Sequence, residues 1–281
     1  MSVFGDAKFV KKIKDGFVCV AINQHHHRRR KDLEYDLFAK LVQQTGEQVS
    51  GYNQGLYFFT PAAELLSFSN TVSGEHAGKL LRQALEKFEP PAALPELLKG
   101  HEDAGPLWKL PDGSQLVLVN SKVLGGYEKP ENTRRRIHQQ SLGRDHLWLS
   151  KEEIAALASG RFLADLRERL PMLLNDNTRG EPGRWRKSEI KRFDVNLQDG
   201  RITGRAHFEN ASATRGYKAE LLGFVAAKDG VLTRFDMVVH GNYWGEGRYT
   251  RNGPKGTFPF AIAFRLSDGT EPYDTPPPGV R

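Results

Sequence analysis

The fold is constrained most by a series of short β-type segments that begins after Trp185. Runs rich in β-branched and aromatic residues alternate there with glycine-containing turns. The segments predicted as strands are residues 190–197, 202–208, 217–227, 231–240 and 258–266. The turns Gln198-Asp199-Gly200 and Lys228-Asp229-Gly230 lie between consecutive segments, and tight turns of this kind join antiparallel strands. The spacing therefore predicts an antiparallel sheet, closed or curled over neighbouring helices.

Two short helices are predicted before this series. Ser150-Lys151-Glu152-Glu153 has the form of a capping box and opens the first helix, which Gly160 ends. Apolar residues recur at helical spacing from Phe162 to Leu170, and Pro171 ends this second helix. Residues 150–281 are therefore predicted to form an α+β domain.

The first part of the chain has a different order of elements. A short helix over residues 6–15 is followed by an apolar strand over residues 17–22 and a helix over residues 32–44. Residues 55–59 and 64–68 are predicted to form a hairpin, and a last helix follows Ser73 and ends before Pro90. In that last helix Leu80, Leu81, Ala84, Leu85 and Phe88 are predicted to form one apolar face.

This order resembles the thioredoxin fold. The resemblance places the family's Cys-x-x-Cys motif on His26-His27-Arg28-Arg29, and its cis-proline turn on Gly51-Tyr52-Asn53-Gln54-Gly55, which contains no proline. Both catalytic hallmarks of the family are missing, so the resemblance implies an α/β scaffold without thiol–disulfide oxidoreductase activity.

With 281 residues, the chain is longer than one typical domain. We predict a thioredoxin-like domain over residues 1–91 and the α+β domain over residues 150–281. Residues 92–149 are predicted to contain a hairpin around Pro111-Asp112-Gly113 and a basic linker from Lys122 to about Asp145.

The most polar stretch lies at the turn between the apolar strand and the following helix. It consists of three imidazoles and three guanidinium groups: His25, His26, His27, Arg28, Arg29 and Arg30. A helix N-terminus offers unpaired N–H groups and the positive end of its dipole, and arginine binds phosphate or carboxylate through two parallel hydrogen bonds. The turn is predicted to bind an anionic ligand, more tightly below about pH 6.5, where histidine protonates.

A divalent transition metal is the variant ligand at the same turn. His25 and His27 point to one side of an extended backbone, but a protein-only site needs a third ligand. The candidates for that ligand are His26, His76, Asp32 and Glu34. Because the neighbouring arginines repel a dication, the anion is the preferred ligand.

A second candidate site lies in the α+β domain, in the segment His240-Gly241-Asn242-Tyr243-Trp244-Gly245-Glu246. Tyr243 or Trp244 would stack on a sugar or a base, and His240 with Glu246 would form an acid/base pair. Asn177-Thr178-Arg179-Gly180 and Arg184-Trp185 form a further polar–aromatic cluster expected to close on this loop.

Composition limits the class of protein. Hydrophobic residues make up 38% of the chain and charged residues 27%, and the net charge is +7, as in a soluble globular protein that attracts anionic partners. No stretch approaches the roughly 18 apolar residues of a membrane span. The N-terminus has no apolar signal region, so we expect either a cytoplasmic protein or one whose targeting segment has been removed.

Cys19 is the only cysteine, which excludes an intramolecular disulfide and a dithiol redox cycle. Its place inside the apolar strand predicts an inert, buried thiol. No phosphate-binding glycine loop, zinc-protease motif or serine elbow is present.

These observations favour a non-redox binding or accessory protein for an anionic ligand or protein partner. The alternative is an enzyme, a hydrolase or transferase, centred on His240 and Glu246. A nucleic-acid binder comes third, because Tyr35 is the one stacking aromatic close to the His/Arg turn.

Overall fold

The computed structural model describes residues 7–20, 22, 33–49, 53–70, 74–90, 110–127, 138–180, 182–247 and 250–269. The chain divides into two compact units, Met1–Glu102 and Asp103–Arg281. Each unit is described by itself. Within the described residues, none of the helices combines the length and the apolar character needed to cross a bilayer.

The first unit contains three described helices and one hairpin. The helices are α1 (Ala7–Gly16), α2 (Leu33–Gln44) and α3 (Gly74–Lys87), and the hairpin consists of β1 (Leu56–Phe59) and β2 (Leu65–Ser69). The predicted helices over residues 32–44 and after Ser73, and the hairpin between them, are confirmed within the described residues. One buried cluster joins α1, α3 and the hairpin, and it includes Phe9, Phe58, Leu66, Leu80 and Leu81.

The strand predicted over residues 17–22 is wrong for the part that the structure describes. Residues 17–20 have no regular secondary structure, although Phe17 contacts Phe58 with 5.3 Å between ring centroids. Val18 is 92% exposed and Cys19 is exposed. The thiol is therefore not the buried hydrophobe that the apolar run predicts, because no second strand pairs with these residues among those described.

The last helix of the unit, α3, buries a narrower face than predicted. Leu80, Leu81 and Ala84 are buried as expected, but Leu85 and Phe88 are exposed. Ala77, one turn before Leu80 and Leu81, is buried instead. The buried stripe therefore follows a spacing of three and four residues toward the hairpin.

The second unit is built on a seven-stranded antiparallel sheet. Its strands are β3 (Gln115–Val123), β4 (Gly143–Leu149), β5 (Ile190–Gln198), β6 (Arg201–Glu209), β7 (Gly216–Lys228), β8 (Val231–Trp244) and β9 (Thr257–Leu266). Their order across the sheet is β4-β3-β9-β8-β7-β6-β5. The five strands predicted from residue 190 onward, and their antiparallel pairing, are confirmed.

The predicted hairpin and linker over residues 92–149 are largely replaced by two strands of this sheet. The Pro111-Asp112-Gly113 turn forms, with Gly113 at φ +73°, and β3 pairs with β4 on one side and β9 on the other. Residues 107–109 of the predicted hairpin lie outside the described residues. Gly143–Asp145, predicted as the end of the linker, begins β4. The sequence between β3 and β4 is basic and glycine-punctuated, which hid the long-range pairing.

Two predicted helices pack against the sheet unit, α4 (Lys151–Ala158) and α5 (Ala164–Arg169), followed by a 3₁₀ turn at Leu170–Leu173. The capping box is confirmed: the Ser150 hydroxyl accepts from the Glu153 N–H, and the Glu153 carboxylate accepts from the Ser150 N–H. α4 contacts β7 and β8. Along β5–β9, every second side chain points toward these helices and is part of the buried core. The side chains between them point to the opposite side of the sheet, which we call the open face.

Two tight turns join β5 to β6 and β7 to β8 and set the pairing next to each turn. Asp199 and Gly200 have φ values of +50° and +74°, and Asp229 and Gly230 have φ values of +52° and +78°. Positive φ at both central residues defines the turn type whose twist matches that of antiparallel strands, and glycine adopts it without steric cost.

Candidate functional site: a basic pocket on the open face of the sheet

The first predicted site cannot be located in the described structure. His25, His26, His27, Arg28, Arg29 and Arg30 all lie outside the described residues, as does Asp32. Among the residues that the structure describes, no group of three His, Cys, Asp or Glu side chains is arranged to hold a metal ion. The His/Arg turn and its metal variant therefore stay predictions.

The second predicted site is divided between the core and a polar network. Tyr243 is 1% exposed and packs against Tyr217, Phe258 and Phe260, so its predicted stacking on a ligand does not fit this burial. Burial raises the pKa of the Tyr243 hydroxyl. Trp244 is half-buried, and its indole N–H donates to the Ala213 carbonyl at 3.0 Å.

Glu246 is held by its own loop between β8 and β9 and by the segment that precedes β5. Its carboxylate accepts from the Gly253 N–H at 2.7 Å and lies 3.6 Å from the Arg179 guanidinium. Arg179 also donates to the carbonyls of Thr250 and Gly245. The expectation that the Asn177–Gly180 segment closes on this loop is confirmed.

His240 and Glu246 do not contact each other. His240 lies on β8 and points to the open face, opposite Glu220 of β7. Trp244, still in the strand, is four residues further on, which is about 13 Å of extended chain. The two side chains therefore belong to different environments, and the predicted acid/base pair is not formed.

A second buried arginine, Arg215, anchors the other side of the same network. It donates to the Tyr243 hydroxyl at 2.9 Å and to the Asn175 side-chain carbonyl at 2.6 Å. Its guanidinium lies 4.0 Å from the centre of the Trp185 ring. These contacts are internal to the protein, so the network is a structural support.

His240 instead belongs to a depression on the open face, which we call the basic pocket. The pocket has a volume of about 470 Å³. The charged and polar side chains that line it are Arg192, Arg205, His207, Lys218, Glu220, His240 and Asn242. They come from the four adjacent strands β5–β8, and the pocket therefore contains three permanent cations, two imidazoles and one carboxylate.

The strand register brings these side chains together. Arg192 lies opposite His207, and His207 lies opposite Lys218, which in turn lies opposite Asn242. In the neighbouring row Arg205 is flanked by Asp194 and Glu220. Side chains directly opposite each other on neighbouring strands have Cβ atoms about 4.5–5.5 Å apart, so each row forms a continuous line of contacts.

The imidazole of His207 has an unsatisfied nitrogen in this pocket. Its Nε2 atom is buried and has no hydrogen-bond partner. Burial, and after it the Lys218 ammonium, lower the pKa of His207, while the nearby Glu209 carboxylate opposes them. A buried polar atom without a partner is costly, so His207 Nε2 is a candidate for a hydrogen bond to a group that is not part of the chain.

The lowered pKa of His207 predicts that acid destabilises the ligand-free protein. Below about pH 6.5 the unfolded chain binds this proton more readily than the folded protein does, so the free energy of unfolding decreases as the pH falls through that window. Urea unfolding at a series of pH values should show a smaller decrease for His207→Gln than for the unmodified protein. Parallel pH profiles of the two proteins would contradict this expectation.

Comparison with known proteins finds no matching family model, no matching curated protein and no matching solved structure. The geometry of the basic pocket is therefore the main support for a function.

Sequence reasoning selected His240 but missed the rest of the pocket. Arg205, His207 and Lys218 alternate with buried residues along β6 and β7, and that alternation was visible in the sequence. The alternation alone does not predict a site. The register between neighbouring strands is also needed, because it places a residue of β5 beside residues of β6 and β7.

Proposed function

We propose that the protein is a non-redox binding or accessory protein whose second unit holds an anionic ligand or partner in the basic pocket. The observation that carries the proposal is the convergence of Arg192, Arg205 and Lys218 around His207, whose buried nitrogen has no partner. Cations and N–H donors gathered in one depression favour a negatively charged group.

The charge of the whole open face supports the same proposal. The permanent cations on outward positions of β5–β9 are Arg192, Arg201, Arg205, Lys218, Arg234 and Arg265, and the carboxylates are Asp194, Glu209, Glu220 and Asp236. The open face therefore has more cations than carboxylates. Three of these cations but only one of the carboxylates line the basic pocket. Such a distribution attracts an anionic partner and orients it toward the pocket.

A protein partner is favoured over nucleic acid. Surfaces that bind single strands offer free aromatic rings on which bases stack. On β7 and β8 the outward rings of Phe224 and Trp244 each have a cation nearby: Arg234 lies 4.9 Å from the first ring centre and Lys218 lies 6.0 Å from the second. A base would have to displace these cations, whereas acidic side chains would pair with them.

The N-terminal part of the proposal concerns the His/Arg turn. In this proposal a thioredoxin-like scaffold over residues 1–91 presents His25–Arg30 in place of redox cysteines, with a divalent transition metal as the variant ligand. Support comes from the sequence order of helix, hairpin and helix, and from the absence of a second cysteine. This turn would add a second basic surface to the one on the sheet.

Binding of poly-L-glutamate, used as an anionic polypeptide probe, tests the proposed function. Replacing Arg205 and Lys218 with glutamine is expected to weaken binding roughly tenfold at low salt, because each exposed cation is worth up to about 1 kcal/mol. The double variant should also show a smaller loss of affinity when salt is added. Titration calorimetry at two salt concentrations measures both effects.

The matched control removes two cations away from the open face. Lys151 belongs to α4, and Lys187 lies before β5 and is 3.5 Å from Glu168 of α5. The Lys151→Gln, Lys187→Gln protein has the same net charge as the test variant. If both double variants lose affinity equally, net charge alone explains the binding and the basic pocket is rejected as the site.

A further inference from the structure

One row of the basic pocket contains donors from four strands and no carboxylate. It runs from Arg192 through His207 and Lys218 to Asn242. Arg192 and Lys218 lie on the two strands that flank the His207 imidazole. An anion lying over the row would pair with both cations.

Two carboxylates beside this row are already paired with arginines. Asp194 accepts from Nε of Arg192, which belongs to the row, and a Glu220 carboxylate oxygen lies 3.9 Å from Nε of Arg205, which does not. Lys218 forms no ion pair with the described residues, and the Asn242 side chain forms no hydrogen bond with them. The Lys218 ammonium and the Asn242 amide are therefore available to one ligand, and the neighbouring His207 has a buried Nε2 without a partner among the described residues.

We propose that this row binds a phosphoryl group, either as free phosphate or as a phosphate monoester on a partner, and that His207 takes up a proton when the group binds. The proposal deepens the proposed function and rests on it. A phosphoryl group offers three or more oxygens, which matches an arginine fork, an ammonium and an imidazolium arriving from three strands. A carboxylate offers two oxygens and satisfies fewer of these donors.

The proton uptake follows from the groups that face His207. Lys218 of β7 and Lys191 of β5 disfavour the imidazolium, and Glu209 of β6 favours it. Arg192 of β5 lies directly opposite His207, and the next open-face positions hold Arg205 with the carboxylates Asp194 and Glu220. Without a ligand, burial and the two lysines hold the pKa of the His207 imidazole below its usual value. A bound dianion reverses the local sign of the charge, so the imidazolium is stabilised and donates from Nε2.

The test follows the His207 imidazole by NMR in the full chain, with inorganic phosphate, sulfate and acetate added at millimolar concentrations. Phosphate and sulfate are expected to move the His207 resonances and to raise its titration midpoint, whereas acetate has a much smaller effect. Sulfate stays a dianion over the whole pH range, so a tighter binding of sulfate at lower pH reports protonation of the protein. O-phosphoserine then distinguishes a phosphate monoester from free phosphate.

Two lysines of β7 provide the matched variants. Lys218→Gln should weaken phosphate binding about tenfold and remove most of the rise in the His207 midpoint, while Lys228→Gln, at the far end of the same strand, should leave both unchanged. Lys218→Arg should restore part of the affinity. A well-dispersed spectrum of each variant shows that it is folded.

The outcomes separate this inference from the proposed function. If poly-L-glutamate binds through the pocket but phosphate leaves His207 unmoved, the phosphoryl site is wrong and the anion-binding function stands. If acetate acts as strongly as phosphate, the row binds anions without preference, which also overturns the inference. If Lys218→Gln and Lys228→Gln changed phosphate affinity and the His207 midpoint equally, the bound phosphate would be an adventitious ion only.

Discussion

Replacing Asp176 with asparagine is expected to lower the free energy of unfolding of the second unit by about 3–5 kcal/mol. Asp176 and Arg179 are both buried, and the carboxylate accepts two hydrogen bonds from the guanidinium, at 2.8 and 2.5 Å. Asparagine keeps the size of the side chain but removes the buried counter-ion of Arg179, which is left with the partly exposed Glu246 carboxylate at 3.6 Å. Urea unfolding followed by circular dichroism measures the loss.

An exposed pair of the same residue types serves as the control. Asp236 accepts from Arg234 at 2.6 Å on the open face, where both side chains are about half exposed. Asp236→Asn should therefore cost less than about 1 kcal/mol, since water screens the pair. Equal losses for the two variants would contradict the assignment of Asp176 to a buried network.

A double replacement shows whether the buried pair stabilises the fold or specifies it. Removing both charges, as Asp176→Leu with Arg179→Met, leaves no uncompensated ion and is expected to recover much of the loss. The Arg179 guanidinium also holds the carbonyls of Thr250 and Gly245. We therefore expect the double variant to fold with a loop after β8 that exchanges amide hydrogens faster.

Local sequence signals were sufficient where the structure depends on near neighbours. The capping box at Ser150 and Glu153 predicted the start of α4, and the turn at Asp199-Gly200 predicted the hairpin of β5 and β6. A two-residue turn pairs Gln198 with Arg201, and counting back along both strands places Arg192 opposite His207. That half of the basic pocket was therefore within reach of the sequence.

The remaining half depends on features that no local pattern shows. The register of β7 and β8 shifts by one residue at a bulge between Ala226 and Ala227, so counting from the Asp229-Gly230 turn misplaces His240. β3 and β9 pair across a long stretch of intervening chain, and their partners cannot be chosen by alternation alone. The prediction for Tyr243 failed for a related reason: aromatic residues look alike in sequence whether they face the core or a ligand.

The strand predicted at residues 17–20 was wrong for a different reason: the prediction depended on apolar composition alone. β-Branched residues favour a strand, but a strand also needs a partner to supply its hydrogen bonds. Among the described residues β1 pairs with β2 alone, and residues 17–20 contact the hairpin through Phe17. The exposure of Val18 and Cys19 follows from that missing pairing.

Replacing Arg215 with methionine is expected to destabilise the second unit by about 2–4 kcal/mol. The change would leave the Tyr243 hydroxyl and the Asn175 carbonyl buried without their donor, and each unsatisfied group costs about 1–3 kcal/mol, less what local relaxation recovers. It would also remove the guanidinium that lies 4.0 Å from the Trp185 ring centre.

Arg234 allows the contribution of the ring contact to be separated from that of burial. It lies 4.9 Å from the Phe224 ring centre, but both side chains are exposed to solvent. Arg234→Met should therefore change the free energy of unfolding by no more than about 1 kcal/mol. Comparable losses for Arg215→Met and Arg234→Met would show that stacking on the ring dominates. A larger loss for Arg215→Met, as we expect, would assign the stability to the hydrogen bonds of Arg215. Those bonds join Asn175, in the segment before β5, to Tyr243 in the core of the sheet that carries the basic pocket.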